Sequence, residues 1–313
     1  MARVPVLRIG TRGSPLALAQ ARQLRDRLAE AHPELAPEEA VELAVIRTTG
    51  DKLTGRPLRE FGGKGLFTKE IEEALLAGRV DLAVHSMKDV PTWLPEGLEI
   101  ACLPPREDPR DAFVCHRAAT IAGLPQGAVV GTASLRRRAQ LLALRPDLEA
   151  VDLRGNVHTR LRKVKDGQVD ATLLALAGLK RLGIAAEATA VLSVDEILPA
   201  VGQGAIGVEC RGDDTRVRDL LAPLNDPATA ACVAAERAML AALDGSCRTP
   251  IAGLAELDGS GGLALRGLLA RPDGSEVYRV RREGRAGDAV ALGTDAGAEL
   301  KARAGPGFIE SLG

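Results

Sequence analysis

The sequence predicts an α/β protein in which two α/β domains are followed by a small α+β domain. Two observations predict this fold class. Apolar, strand-like runs alternate with helical patterns through the first two thirds of the 313 residues, as expected for strands joined by crossover helices. The last part instead has a long helix, two alternating runs separated by a Pro-Asp-Gly turn, and an Ala-rich helix, which is typical of an antiparallel hairpin packed with helices.

The first domain begins with a strand, a helix and a second strand. "VLRIG" is predicted to be a strand, and Ser14 followed by Pro15 is a typical start for the helix "ALAQARQLRDRLAEA". "AVELAVIRT" is the second strand, a helix is predicted from about Thr68 to Gly78, and "VDLAVHS" is the third strand. This order predicts a largely parallel sheet with helices on both faces.

A Pro-rich and charged passage, "LPPREDPRD" (103–111), interrupts the pattern and predicts a domain crossing. The alternation then resumes with "AFVCH", "AVVGT", a helix after Ser134, "EAVDLR", a helix after Asn156, and "DATLLAL". The Gly-rich "LPAVGQGAIGVEC" (198–210) suits a chain that returns to the first domain. The predicted boundaries are 1–104 with 200–222 for domain 1, 105–199 for domain 2 and 223–313 for domain 3.

The overall composition argues against a nucleic-acid partner. Lys and Arg number 41 against 42 Asp and Glu, so the net charge is −1, and only one Trp, one Tyr and four Phe could stack on bases. The chain has no G-x-x-x-x-G-K-[ST] motif, which excludes a P-loop. Any anion binding must therefore come from local clusters of basic residues.

The N-terminal apolar run is too short for a signal peptide, and no segment approaches the ~18 apolar residues of a membrane span. We therefore expect a cytosolic protein without a membrane partner. The five cysteines form no C-x-x-C pair and no histidine lies at zinc-ligand spacing, so we expect reduced thiols and no metal site.

Arginines follow three predicted strand-to-helix joints, where ligands bind in open α/β sheets. Arg136 and Arg137 fall in the first turn of a helix, where a cation costs roughly 0.3–1 kcal/mol unless an anion is bound there. Arginine side chains suit carboxylates or phosphates, and the pattern does not choose between them. For any single joint, a solvated arginine is the alternative. The three joints are "RIGTRGSP" with Arg12 and Ser14, "GTASLRR" with Ser134, Arg136 and Arg137, and "LRGNVHTRL" with Arg154 and Arg160.

The heptapeptide "HSMKDVP" (85–91) follows the third strand and places Lys88 and Asp89 at the same sheet edge. Asp89 could act as a general acid or base or as a counter-ion to a developing cation, and Lys88 could pair with acidic groups of a ligand. The alternative is a solvated turn before Pro91. His85 is predicted to be a packed strand residue.

Cys247 differs from the other four cysteines because it lies in a Gly-Ser-Cys-Arg loop and not in an apolar run. The neighbouring Arg248 favours the thiolate, so this thiol is predicted to be accessible and somewhat activated. The alternative is a cysteine that is merely tolerated at this position.

Taken together, these stretches resemble the porphobilinogen deaminase family. The resemblance runs from about Leu7 to Ile251, and the combination of "HSMKDVP", "SLRR" and "LRGN" is its most specific part. It implies two domains like those of type II periplasmic binding proteins and a C-terminal domain that carries the cofactor cysteine. The matching stretches are "LRIGTRGSPLAL", "GGKGLFTKE", "DLAVHSMKDVP", "EDPRDAF", "VVGTASLRRRAQL", "LRGNVHTRL", "LAGLKRLG", "LPAVGQGAIGVEC" and "GSCRTPI".

The resemblance also implies the chemistry. Four porphobilinogen molecules would be deaminated and joined head to tail on a dipyrromethane cofactor held by a thioether to Cys247, and water would release linear hydroxymethylbilane. The anions are then the carboxylates of porphobilinogen and of oligopyrrole intermediates, and Asp89 would face the pyrrole N–H groups. Lys88, Ser134, Arg136 and Arg137 would bind the cofactor, whereas the substrate would be bound by Arg12, Ser14, Arg154, Arg160 and Arg181. A monomer is expected.

The sequence departs from the family pattern at two places. Ala133 stands where many relatives have serine, so one hydroxyl of the anion site is missing, and Arg248 and Thr249 also differ from the commoner residues.

Two other classes of protein share some of these features. A solute-binding protein would share the two-lobed fold and the arginines but would have no use for a loop cysteine in a third domain. A phosphate- or nucleic-acid-binding module is disfavoured by the charge balance and the few aromatic residues.

Overall fold

The computed structural model describes residues 7–52, 68–245 and 249–308. The chain forms two compact units: the first comprises Met1–Arg106 and Ala205–Ala230, and the second comprises Glu107–Gly204 and Ala231–Gly313. The chain crosses between the units within the Pro-rich passage, within the Gly-rich return and again between Ala230 and Ala231. The three-domain boundaries given above stay a prediction.

The described elements follow one another along the chain in four groups. The first unit begins with β1 (Leu7–Thr11), α1 (Pro15–Ala31), β2 (Val41–Val45), α2 (Thr49–Lys52), α3 (Lys69–Leu76), β3 (Leu82–Ser86) and β4 (Leu98–Cys102). The second unit then contributes β5 (Asp111–Cys115), β6 (Val129–Gly131), α4 (Leu135–Leu144), β7 (Glu149–Val151), α5 (Val157–Lys165), β8 (Ala171–Ala175), α6 (Leu176–Arg181) and β9 (Ala190–Val191). The chain returns to the first unit with β10 (Ile206–Arg211) and α7 (Thr215–Leu221). It ends with α8 (Pro227–Ala242), β11 (Ile251–Leu257), β12 (Gly262–Ala270), β13 (Val277–Arg285) and α9 (Ala289–Ala304).

The two units contain five-stranded sheets of the same topology. The strand order is β2-β1-β3-β10-β4 in the first unit and β7-β6-β8-β5-β9 in the second. In each sheet the fourth strand in this order, β10 or β5, runs antiparallel to both of its neighbours. The prediction of a largely parallel sheet is confirmed, because four of the five strands in each sheet run in the same direction, but the single antiparallel strand of each sheet was not predicted. β10 and β5 follow chain crossings that end beside the last residues of β3 and β8, so each must run back along its neighbour.

The predicted helix starts are confirmed by their capping hydrogen bonds. The Ser14 hydroxyl accepts from the Ala17 backbone N–H at 3.3 Å, and the Ser134 hydroxyl accepts from that of Arg137 at 3.4 Å. The Asn156 side chain caps α5 in the same way. Each cap satisfies a backbone donor that the first helical turn leaves without an intrahelical partner. These caps fix the chain directly after β1, β6 and β7.

The C-terminal part of the second unit is an antiparallel sheet, β11-β12-β13, packed with α8 and α9. The two helices approach closely at Gly293, where an added Cβ would lie 2.1 Å from the Ala235 carbonyl oxygen. Within the same unit, Ala139 of α4 and Leu198 share a hydrophobic cluster with buried residues of β11 and β12.

Four cysteines, Cys102, Cys115, Cys210 and Cys232, are buried and reduced, as predicted. Burial raises the pKa of the Cys102 thiol to about 12 and that of Cys210 to about 11, so both are poor nucleophiles at neutral pH. Cys247 lies outside the described residues, as does most of "GGKGLFTKE". No helix in the described part of the chain is both long and apolar enough to cross a membrane.

Candidate active site

The first unit has a pocket at the edge of its sheet where β1 and β3 end. Because these strands are parallel, the residues that follow them lie at the same edge. Arg12, Ser14 and Asp89, which sequence analysis assigned to the site, line this pocket together. Arg12 and Ser14 are half-buried, whereas Asp89 is exposed. The other lining residues are Leu16, Ala17, Gln20, Thr68, Val84, His85 and Ser86.

A buried polar layer forms the wall of this pocket. Gln20 Nε2 donates to the Ser86 hydroxyl at 2.8 Å, which ties α1 to the end of β3. His85 Nε2 lies 2.9 Å from Glu209 Oε2, and both side chains are at most 5% exposed. His85 is therefore a packed strand residue, as predicted, although its ring is paired and not merely buried among apolar groups.

A third carboxyl group, Glu72 of α3, is also buried in the first unit. Burial raises the pKa of Glu72, and the charge of Glu209 raises it further, while Thr68 and His85 act in the opposite direction. The net direction is upward, since the charged form loses hydration without gaining an ion pair of its own. The first unit therefore combines an exposed carboxylate at its pocket with buried carboxyl groups behind it.

The second unit has a buried ion cluster at the equivalent sheet edge, which we call the Asp111 cluster: Asp111, Arg136, Arg137 and Gln203. Arg136 Nη1 donates to Asp111 Oδ2 at 2.8 Å, and Arg137 Nη2 donates to Oδ1 at 2.7 Å. Gln203 Nε2 also donates to Oδ1, at 2.8 Å. Asp111 is fully buried and both arginines are 5% exposed.

Two backbone carbonyls complete the support of the arginines. Arg136 Nη1 donates to the Leu198 oxygen at 2.7 Å and Arg137 Nη1 donates to that of Leu173 at 2.9 Å. Burial raises the pKa of Asp111, but attraction to the two guanidinium groups and their hydrogen bonds outweighs it, so this pKa lies well below its ordinary value. Burial lowers the pKa of Arg136, and the neighbouring Arg137 adds to this, against the attraction of Asp111.

The Asp111 carboxylate is an anion beside Arg136 and Arg137, whereas the sequence analysis expected that anion to come from a ligand. Arg136 and Arg137 lie in the first turn of α4, where their charges oppose the helix dipole. One carboxylate of the protein lies between them and offsets part of that cost. With two cations and one anion, the cluster still keeps one positive charge in excess.

The remaining predicted arginines lie in the second unit. Arg154 follows β7, Arg160 lies in α5 and Arg181 ends α6, and all three are half-buried. Arg181 Nη2 donates to the Gly204 carbonyl oxygen at 2.8 Å. The adjacent Lys180 pairs with Glu107 at 2.8 Å, so the end of α6 contacts both segments that connect the units. Lys88 is half-buried in the turn after β3.

Several residues of these two sites were given no role by sequence reasoning, among them Gln20, Asp111 and Gln203. Gln20 gives no signal because a glutamine in an amphipathic helix is normally exposed. Asp111 has a weak signal, since it is a carboxylate at the start of the otherwise apolar run "AFVCH". Its partners are 25 and 26 residues further along the chain.

The fold and the two sites define an α/β protein with charged side chains at the edges where its parallel strands end. The family model described as "Porphobilinogen deaminase, dipyromethane cofactor binding domain" matches residues 7–219, and the model of the family's C-terminal domain matches residues 230–302. The chain belongs to the porphobilinogen deaminase family. It is thus a transferase of tetrapyrrole biosynthesis, its cofactor is dipyrromethane, and its family condenses porphobilinogen into hydroxymethylbilane.

Similar proteins come from plants and bacteria. The chain is 60% identical to "Porphobilinogen deaminase, chloroplastic" of Oryza sativa subsp. japonica, over 99% of this chain and 87% of that protein. It is also 60% identical to "Porphobilinogen deaminase" of Paracoccus denitrificans, over 97% of this chain and 96% of that protein. Among solved structures, a periplasmic substrate-binding protein from Coxiella burnetii is similar at 16% identity, with a TM-score of 0.42 over 74% of this chain and 96% of that chain.

The residues of the second unit fit an acidic cofactor. The Nε atoms of Arg136 and Arg137 are buried and have no hydrogen-bond partner among the described residues. A dipyrromethane made from two porphobilinogen units carries acetate and propionate groups, which are suitable acceptors for such donors. The excess positive charge of the Asp111 cluster has the matching sign.

Proposed function

We propose that the two sites divide the work of porphobilinogen condensation. In this proposal the first unit binds the reacting pyrrole and performs the acid–base chemistry, and the second unit, with a contribution from Lys88 of the first, holds the acidic side chains of the cofactor. The observation that carries the proposal is the buried pair Arg136 and Arg137, which share a single carboxylate and have Nε donors without a partner in the described part of the chain.

Asp89 is the proposed catalytic residue of the first unit. When porphobilinogen loses ammonia, it becomes a methylene-pyrrolenine whose former aminomethyl carbon is electron-poor. A nearby carboxylate stabilises the positive charge of this species. The same carboxylate can accept the proton that the attacking pyrrole α-carbon loses after it forms the new C–C bond with the methylene carbon. Asp89 is exposed at the pocket and so can reach a bound ring.

The arginines are proposed to recognise the carboxylates of the substrate and of the growing chain. Arg12 and Ser14 belong to the same pocket as Asp89 and would orient the incoming ring. Arg154, Arg160 and Arg181 would bind carboxylates of the oligopyrrole in the second unit. A charge-assisted hydrogen bond of this kind contributes about 1.5–3 kcal/mol, so several of them can hold a multiply charged chain.

The cofactor is proposed to be bound by Lys88, Ser134, Arg136 and Arg137 and attached at Cys247. When bound, dipyrromethane supplies the pyrrole α-carbon to which the first substrate ring is joined. Attachment forms a bond between the Cys247 sulfur and an aminomethyl carbon, and ammonia leaves with the thiol proton. The Ser134 hydroxyl oxygen already accepts a hydrogen bond from the Arg137 backbone N–H at the start of α4. Its own O–H would be the donor to the cofactor carboxylate.

The mass of the denatured protein tests this proposal. A thioether survives acid and chaotrope, so the wild-type chain is expected to be heavier than its sequence by two porphobilinogen units less two ammonia molecules. Cys247→Ser is expected to have the mass of its sequence, whereas Cys232→Ser, a buried-cysteine control, should keep the addition. With substrate, the wild-type mass should rise in steps of one deaminated porphobilinogen. A wild-type chain that always has the bare sequence mass would favour a reversible solute-binding role.

We further propose a monomer that works in the cytosol. The relative from rice is named as chloroplastic, so the location of this chain is a separate question from its chemistry. Light scattering of the purified protein should give the mass of one chain, near 32.8 kDa. A dimer mass would contradict the first part, and recovery of the protein in an organelle or membrane fraction would contradict the second.

A further inference from the structure

The Asp111 carboxylate uses both of its oxygens on other parts of the protein. Oδ2 accepts from Arg136, and Oδ1 accepts from Arg137 and from Gln203. The side chain is fully buried, so it has no surface left for a ligand. Any effect of Asp111 on a bound molecule must therefore pass through the two arginines or through Gln203.

The same contacts fix the arrangement of the two guanidinium groups. Two buried cations repel each other unless an anion lies between them, and a buried charge is tolerated only when it is paired and hydrogen-bonded. Asp111 supplies the anion, the Leu198 carbonyl accepts a second hydrogen bond from Arg136 Nη1, and the Leu173 carbonyl accepts one from Arg137 Nη1. One positive charge and two buried Nε donors are left over among the described contacts.

Unpaired buried donors are rare in native proteins, and each one needs an explanation such as strain, a functional role, or a water or ion bound there. In the Asp111 cluster the excess charge and the unpaired donors belong to the same two side chains. Both observations indicate that the cluster binds one further carboxylate.

We propose that Asp111 is a positioning residue: its buried carboxylate holds Arg136 and Arg137 side by side and sets the pair to bind one carboxylate of the cofactor. This inference rests on the proposed function, because it takes the cofactor as the ligand of the arginine pair. It adds a residue outside the α4 motif on which cofactor capture depends.

Replacement of the carboxylate by a small anion tests the proposal. Asp111→Ala leaves a space beside the arginines that formate can fill, so formate is expected to raise the Tm of this variant by several degrees over chloride at equal ionic strength. Formamide, which is neutral and of similar size, should not. The measurement is made in the Cys247→Ser background, so that loading of the cofactor does not contribute. Asp170→Ala is the matched control, because Asp170 pairs with Arg117 elsewhere in the second unit.

Cofactor capture is the second readout. Asp111→Ala with an intact Cys247, produced in cells that cannot make porphobilinogen, is given porphobilinogen and its denatured mass is followed. Loading is expected to be at least about tenfold slower than in wild type, the size of effect expected for loss of a charge-assisted contact, and formate should restore it. Asp170→Ala should load like wild type in either salt.

The outcomes separate this inference from the proposed function. Equal effects of formate and chloride on Tm, together with wild-type loading of Asp111→Ala, would overturn the positioning role. If Asp111→Ala is unfolded in both salts, the variants Asp111→Glu and Asp111→Asn are compared instead. Cofactor loading of Asp111→Glu but not of Asp111→Asn supports the positioning role. Equal cofactor loading of the two variants overturns it. A wild-type chain that never gains mass would refute the proposed function, while the Tm response to formate would still test Asp111.

Discussion

The two five-stranded sheets have the same topology, but equivalent positions are uncharged in the first unit and charged in the second. β10 starts with Ile206 beside the last residue of β3, and β5 starts with Asp111 beside the last residue of β8. An apolar residue thus occupies in the first unit the position that a buried carboxylate occupies in the second. The helix after β1 has no cation in its first turn, whereas α4 has Arg136 and Arg137 there.

This difference shows how one arrangement of strands supports two kinds of site. The first unit has no charge at the start of β10, and its reactive carboxylate, Asp89, is exposed at the pocket. The second unit buries its ions, and their geometry is fixed by hydrogen bonds at 2.7–2.8 Å to one carboxylate. A fixed, buried cation pair suits a permanently held group, and an exposed carboxylate suits a group that handles successive substrates.

The largest expected effect concerns Asp89. We expect Asp89→Asn to lower turnover by more than the ~10²–10⁴-fold of ordinary acid–base assistance, because the carboxylate both moves protons and stabilises a cation. Since Asp89 is exposed, the free energy of unfolding should change by no more than about 0.5 kcal/mol. Steady-state assays and denaturant titration check the two parts. Turnover within tenfold of wild type would remove Asp89 from the mechanism.

The next largest effect is on the free energy of unfolding and concerns Asp111. Removal of this buried charge should cost far more stability than removal of an exposed charge such as that of Asp89. Asp111→Asn leaves two buried guanidinium groups without an anion, so we expect a loss of about 3–5 kcal/mol at pH 7. The folded-state pKa of Asp111 lies below its unfolded value, so this contribution is present above about pH 4 and is lost as the pH falls through the folded-state pKa.

The gap in unfolding free energy between wild type and Asp111→Asn should therefore narrow between pH 5 and pH 3. Urea titrations at each pH, in the Cys247→Ser background, measure this gap. A gap that stays constant or widens over this range would contradict the assignment of Asp111 as an ionised member of the cluster.

The extent to which these sites can be predicted from sequence follows from how local their interactions are. The helix starts at Ser14, Ser134 and Asn156 were predictable because each cap bonds to a backbone N–H three residues away. The antiparallel direction of β5 and β10 was not, since it depends on pairing with strands far along the chain. The resemblance to a family assigned Arg136 and Arg137 to an anion, but only the three-dimensional contacts identify Asp111 between them.

The smallest expected effect concerns Glu72 in the first unit. Its contribution to stability should change with pH in the direction opposite to that of Asp111. The pKa of Glu72 is raised by burial, so the folded state holds its proton more tightly, and stability falls as the pH rises from about 4.3 through the folded-state pKa. Glu72→Gln stays neutral, and we expect it to gain roughly 0.5–1 kcal/mol relative to wild type between pH 4 and pH 7. The same urea titrations measure this gain. A relative loss over that range would show that Glu72 is stabilised as the carboxylate.

The division of labour between the units is tested most directly by the denatured masses of Asp89→Asn and Arg136→His purified from the same host. We predict that Asp89→Asn still carries the addition of two deaminated porphobilinogen units, because the cofactor is captured only once per chain and is held mainly by the arginine pair, whereas turnover needs Asp89 at every step. Much of Arg136→His should have only the sequence mass. Equal loading of the two variants, or a loaded Arg136→His beside a bare Asp89→Asn, would contradict the account.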